Sequence, residues 1–93
     1  MNVTTAASEA EIWSRAIRPE VGDLQATAAR ELLRLHVADE DVVRVQELSA
    51  KANAGTLTST ETEELDHYLN VGRALEFLKA KARRSLRSNV AAA

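Results

Sequence analysis

Cysteine is absent from these 93 residues, so no disulfide framework, thiolate metal site or cysteine nucleophile can be built. Aromatic residues are scarce: Trp13, Tyr68 and Phe77 are the only three. Burial therefore falls to Ala, Leu and Val, which suits thin packing between helices better than a deep ligand pocket. Apolar residues make up 45% of the chain, but they come in runs of only a few. A bilayer span needs roughly 20 in succession. The N-terminal stretch MNVTTAASEAE has neither the basic start nor the apolar centre of a signal peptide. The three glycines stand apart from one another, so no phosphate-cradling loop is formed. No glycine-framed turn presents a serine or threonine as a nucleophile. These absences lead us to expect one small, cytoplasmic, non-enzymatic domain with no membrane segment, no cofactor and no catalytic residues.

What is present centres on one stretch, residues 58–87, TSTETEELDHYLNVGRALEFLKAKARRSLR. Thr58 followed three residues later by Glu61 is a capping box, in which each side chain bonds the other residue's amide. Glu61, Glu63 and Glu64 place negative charge at the positive end of the helix dipole. Lys79, Lys81, Arg83, Arg84 and Arg87 place positive charge at its negative end. Leu65, Tyr68, Leu69, Gly72, Leu75, Leu78, Ala82 and Leu86 recur at helical steps and form an apolar stripe. At ~1.5 Å per residue this helix is roughly 45 Å long. Gly72, in its interior, reads as a point where another helix approaches closely.

Ahead of it, Ser8 can cap a short helix through about Ile17, which the sequence Arg18-Pro-Glu-Val-Gly22 then breaks. Asp23 is the expected cap of a second helix reaching about His36, and Asp39 of a third reaching about Asn53. Gly55 ends the third in a left-handed residue, so it folds back on the long helix as a hairpin. The fold expected is all-α: a small helical bundle with a helical hairpin ending in one long C-terminal helix. Its extent is 8–88, between a disordered tail over 1–7 and a frayed tail over 89–93.

Two patterns imitate metal sites. Residues 50–61 have the spacing of a calcium-binding loop, with Gly55 at the sixth position and Glu61 at the twelfth. Ala50, Ala52 and Ala54 occupy the positions where calcium needs oxygen ligands. Glu64 and His67 have the Glu-x-x-His spacing of di-iron bundles, in a single copy that only self-association could double. No metal ligands are assigned, and a self-assembling metal-binding helical protein stands as a second alternative.

The segment 47–86, ELSAKANAGTLTSTETEELDHYLNVGRALEFLKAKARRSL, resembles a group of small uncharacterised bacterial helical proteins. The shared pattern is carried by Gly55, Leu57, Thr58, Glu61, Glu64, Leu65, Tyr68, Gly72, Lys81, Ala82 and Arg83. Upstream, 18–35 is similar to the group's Arg-Pro opening and Leu-Ala-rich helix, so the resemblance covers about 13–87. Genes of this group often lie beside HNH-type nuclease genes, and the hairpin looks like the helical tail of bacterial antitoxins. The resemblance implies an antitoxin-like or accessory partner of a nuclease.

Charge is unevenly spread. All fourteen acidic and seven of the twelve basic residues lie in 1–76, and the other five basic residues lie in 77–93. The third helix is too short to cover the long one, so the far end of the stripe is expected to remain uncovered. The function expected is a protein-interaction module acting as a homodimer or with a nuclease-type partner. The expected contacts are Trp13, Leu78, Ala82 and Leu86, with Lys79, Arg83, Arg84 and Arg87 steering an acidic surface. The alternative is a nucleic-acid-binding module using the same basic end.

Overall fold

A computed structural model describes the backbone of residues 6–92 and the side chains of 6–89. The chain is all-α among the described residues, with α1 (Glu9–Ile17), α2 (Ala26–Leu32), α3 (Asp39–Ala54) and α4 (Ser59–Ala92). Residues 1–5 of the expected N-terminal tail lie outside the described residues.

Local chemistry accounts for the best-defined boundaries. The Ser8 hydroxyl accepts from the Glu11 amide at 3.1 Å and starts α1. Arg18 ends it in the left-handed region, φ 56° and ψ 64°, because Pro19 excludes a right-handed helical residue before it. The capping box forms as its spacing requires: Thr58 N–H donates to Glu61 Oε1 at 3.0 Å, and Glu61 N–H to Thr58 Oγ1 at 3.1 Å. Gly55 closes α3 at φ 71°.

Two expected caps are not made. Helix α2 begins after Gln25 without a side-chain cap, and α3 begins after Ala38 in the same way. Asp23 instead pairs with Lys81 Nζ at 2.7 Å, a partner far along the chain. Asp39 lies inside the first turn of α3, beside Glu40 and Asp41. Helix α2 also stops at Leu32 rather than near His36. Tighter bonds from Arg34 N–H to Glu31 O and from Leu35 N–H to Leu32 O close its end.

The long helix is the common support. Helices α1, α2 and α3 each pack on α4, and among the described helices none packs on another. Helix α3 lies antiparallel to the first third of α4. Arg44 holds Glu64 with two bonds of 2.8 Å, and the Tyr68 hydroxyl donates to Asp41 Oδ1 at 2.8 Å. At the other end, a polar clamp fixes the segment between α1 and α2. Lys81 Nζ donates to the carbonyls of Arg18 and Val21, Ser85 Oγ accepts from Leu24 N–H at 3.1 Å, and Asn89 Nδ2 donates to Leu24 O. Gly22 makes this possible. A Cβ there would stand 2.8 Å from the carbonyl carbon and oxygen of Arg84.

Close approach therefore belongs to Gly22 and not to Gly72, where an added Cβ would meet nothing within 4 Å. The first two helices are joined to α4 by the very segment whose proline and glycine had suggested separation.

Candidate interaction surface

With three helices arrayed along a fourth, no shared interior forms. Among the described residues, only Ala29, Leu48 and Ala82 are fully buried apolar residues, together with one polar residue, Ser85. The radius of gyration is 17.0 Å, against ~12 Å for a compact domain of this length. Seven large apolar side chains stay substantially exposed among the described residues: Ile12, Trp13, Leu35, Val42, Val43, Leu69 and Val71.

Two of these residues, Trp13 and Val71, come together. Below Tyr68, α4 is covered by α3, and from Lys81 onward it is held by the clamped segment. Between those levels lies a shallow cavity of about 300 Å³, lined by Trp13 and Glu9 of α1 and by Asn70, Val71, Ala74, Leu75 and Leu78 of α4. Trp13 is 42% exposed and Val71 51%. The Asp41–Tyr68 bond brings Val42 and Val43, at the start of α3, to the same level of the long helix. Trp13, Val71 and this cavity make up an apolar waist at the middle of α4.

The residues singled out from the sequence divide accordingly. Trp13 and Leu78 line the waist cavity. Ala82 belongs to the chain's own core, with no exposed surface. Leu86 is half-buried, next in the chain to the buried Ser85. The end of the stripe is thus largely covered from within, and the exposed apolar surface lies instead beside α1, at Trp13 and Val71. The clamp explains the shift, because it draws α1 and α2 over positions that α3 cannot reach. Val71, Ala74 and Glu9 escaped the sequence reading. The available signal was Val71 itself, a β-branched apolar residue in the helix that falls off the recurring stripe.

The basic residues divide as well. Lys79 is half-buried, while Arg84 and Arg87 are exposed. Arg83 reaches Glu76 at 3.3 Å. Lys81, expected to complement the dipole, is engaged in the clamp.

The acidic start of α4 is engaged through α3. The Glu61 carboxyl is held down to about 2, first by the Lys51 ammonium and then by the Thr58 amide. Glu64 is likewise lowered by the Arg44 guanidinium. Tyr68 is raised, chiefly because its hydroxyl donates to the Asp41 carboxylate. Glu64 is thus the carboxylate of an ion pair, and among the described residues no group of three His, Asp or Glu side chains is arranged to hold a metal. No described helix is long and apolar enough to cross a membrane.

No family model, curated protein or solved structure matches this chain, so its surface is interpreted from its own geometry.

Proposed function

We propose that the chain is a non-enzymatic protein-interaction module whose working surface is the apolar waist. One observation carries this reading: the fold leaves Trp13 and Val71 exposed beside an apolar cavity between α1 and the middle of α4. A Trp at the rim of a preformed apolar depression is the arrangement that anchors protein contacts. Contiguous exposed apolar surface on a small domain marks an interaction site more often than it marks idle surface. A nuclease-type protein, the partner that the resemblance implies, is a specific candidate. Nucleic-acid binding through the basic end draws less support, because Lys81 and Arg83 are engaged within the chain.

The test is affinity capture with the parent and with Val71→Glu, alongside circular dichroism to confirm equal helix content. A partner retained by the parent and lost by the variant is the expected outcome. Partners bound equally by both would move the function away from the waist. A salt titration with duplex and single-stranded oligonucleotides addresses the alternative. Backbone binding would weaken steeply as salt rises.

A further inference from the structure

We propose that α4 is jointed at Gly72. The hairpin of α3 with the start of α4 swings there against the unit formed by α1, α2 and the later half of α4. The swing widens or closes the cavity between α1 and α4, and it holds whatever that cavity binds.

Connection is the first argument. Helix α3 packs on none of the other described helices except α4, so the two units meet through two stretches of chain, the link 33–38 and the middle of α4. The link is mostly exposed. Its hydrogen bonds among the described residues reach only into α2 and α3, the helices it joins. It can follow a movement without breaking a bond to any other element.

Support is the second. Among the described residues, hydrogen bonds and ion pairs tie α4 to other elements at Glu61, Glu64 and Tyr68, and again at Lys81, Ser85 and Asn89. From Leu69 to Ala80 there are no such ties. Arg73 bonds Asn70 and Arg83 bonds Glu76, both within α4 itself. No described residue of α4 before Ala82 is fully buried. Helix α1 flanks this stretch, yet a cavity of about 300 Å³ lies between them, and their polar bond comes only at Arg18. Roughly three turns of helix thus bridge the units without a polar tie to either.

Glycine is the third. Gly72 lies within the untied stretch, and a Cβ there would meet nothing within 4 Å. No neighbour demands a glycine, so close packing does not offset its poor helix propensity. Its backbone has more freedom than any other residue's, and the helix opens there more readily. Asn70 and Val71 precede it, while Ala74, Leu75 and Leu78 follow it, all lining the cavity with Glu9 and Trp13 of α1. A bend at Gly72 therefore moves Val71 relative to Trp13 and changes the mouth of the cavity.

The test uses the full chain, which has no cysteine to compete with introduced labels. Spin labels at Asn53→Cys and Arg87→Cys, both exposed, give the distance across the joint by pulsed dipolar spectroscopy. Labels at Arg15→Cys and Arg87→Cys give a distance within one unit. The expected result is a broad or two-peaked distribution for the first pair and a narrow one for the second. Gly72→Ala, whose methyl group has room, should narrow the first. In hydrogen exchange corrected for intrinsic rates, the amides of 72–76 should open more often than those of 64–68 and 82–86. Gly72→Ala should slow them roughly fivefold, the difference in helix propensity expressed as a population.

Equal widths for the two label pairs would overturn the joint. So would a distribution across it that Gly72→Ala leaves unchanged, or amides of 72–76 as slow to exchange as those on either side.

Discussion

Gly22 and Gly72 differ by what surrounds them, and that difference can be measured. A methyl group at position 22 would press on the Arg84 backbone, which belongs to a long helix and cannot move aside. We expect Gly22→Ala to destabilise the fold by about 1–3 kcal/mol, the usual cost of overpacking. At position 72 the added methyl would meet open space in a helix interior. There Gly72→Ala should stabilise by about 0.5–1 kcal/mol through backbone entropy and helix propensity alone. Urea denaturation of the two variants, with equal slopes required for comparison, checks both signs. Sequence alone could not sort these glycines. Each is isolated in the chain, and only the tertiary approach of position 22 to α4 distinguishes them.

The same contrast holds for the capping residues. Thr58 and Glu61 were legible because both partners lie within one turn. We expect Thr58→Ala to cost about 1 kcal/mol, measured from the denaturation midpoint. Asp23 was not legible as a clamp residue, because its competing partner, Lys81, lies on the other side of the fold. Glu61 also gives the fold a pH dependence. Its carboxyl lies at about 2 in the folded chain, below its ordinary 4.5. A lowered carboxyl stabilises the folded state above its unfolded value and loses that contribution as acid protonates it. Acid titration should therefore weaken the α3–α4 hairpin between about pH 4.5 and pH 2. Lys51→Met, which removes the leading cause, should flatten that dependence.

At the level of elements, each of the first three helices depends on α4 and on nothing else that is described. Helix α2 has only seven residues and no side-chain cap, so it cannot persist alone. Its entry point is held by Ser85 through the Leu24 amide. Ser85→Ala would leave that amide without its partner and should destabilise by about 1–3 kcal/mol. The loss should appear first in α1 and α2. Hydrogen exchange read residue by residue should show two units. One comprises α3 with the start of α4, and the other comprises α1 and α2 with its later half. Destabilising the clamp should speed exchange in the second while leaving the amides of α3 little changed. Uniform acceleration of both units would mean that α4 couples them more tightly than the separate packing implies. The extents of α1, α3 and α4 were readable from caps and periodicity. The early end of α2 was not, because no glycine or proline marks it.

Taken whole, the molecule is 53 × 48 × 16 Å, about two helix layers thick. The sequence pointed to the long helix as the organising element and to an incomplete interior, since three aromatic residues cannot fill a large one. It misplaced the uncovered region by about two turns. Helix lengths alone suggested that the far end of α4 would be bare. The clamp of Lys81, Ser85 and Asn89 covers that end instead, and the exposed apolar residues Trp13 and Val71 fall beside α1 at the middle. Long-range polar bonds of this kind have no sequence period, which is why the waist emerged only from the fold.

The dependence of three helices on a fourth also governs when folding can happen. Translation delivers α1, α2 and α3 first, but the surface they pack on comes last. At 5–20 residues per second, the 34 residues of α4 take roughly two to seven seconds to synthesise. Through that interval the earlier helices have nothing to settle against, and their apolar faces are open to chaperones or to neighbouring nascent chains. The hairpin of α3 with α4 can close first, because its contacts are local. Helix α1 must then find residues some sixty positions away. A ribosome that stalls within the codons for the later half of α4 would hold a chain in which only the α3–α4 hairpin can form, with α1 and α2 still without their support.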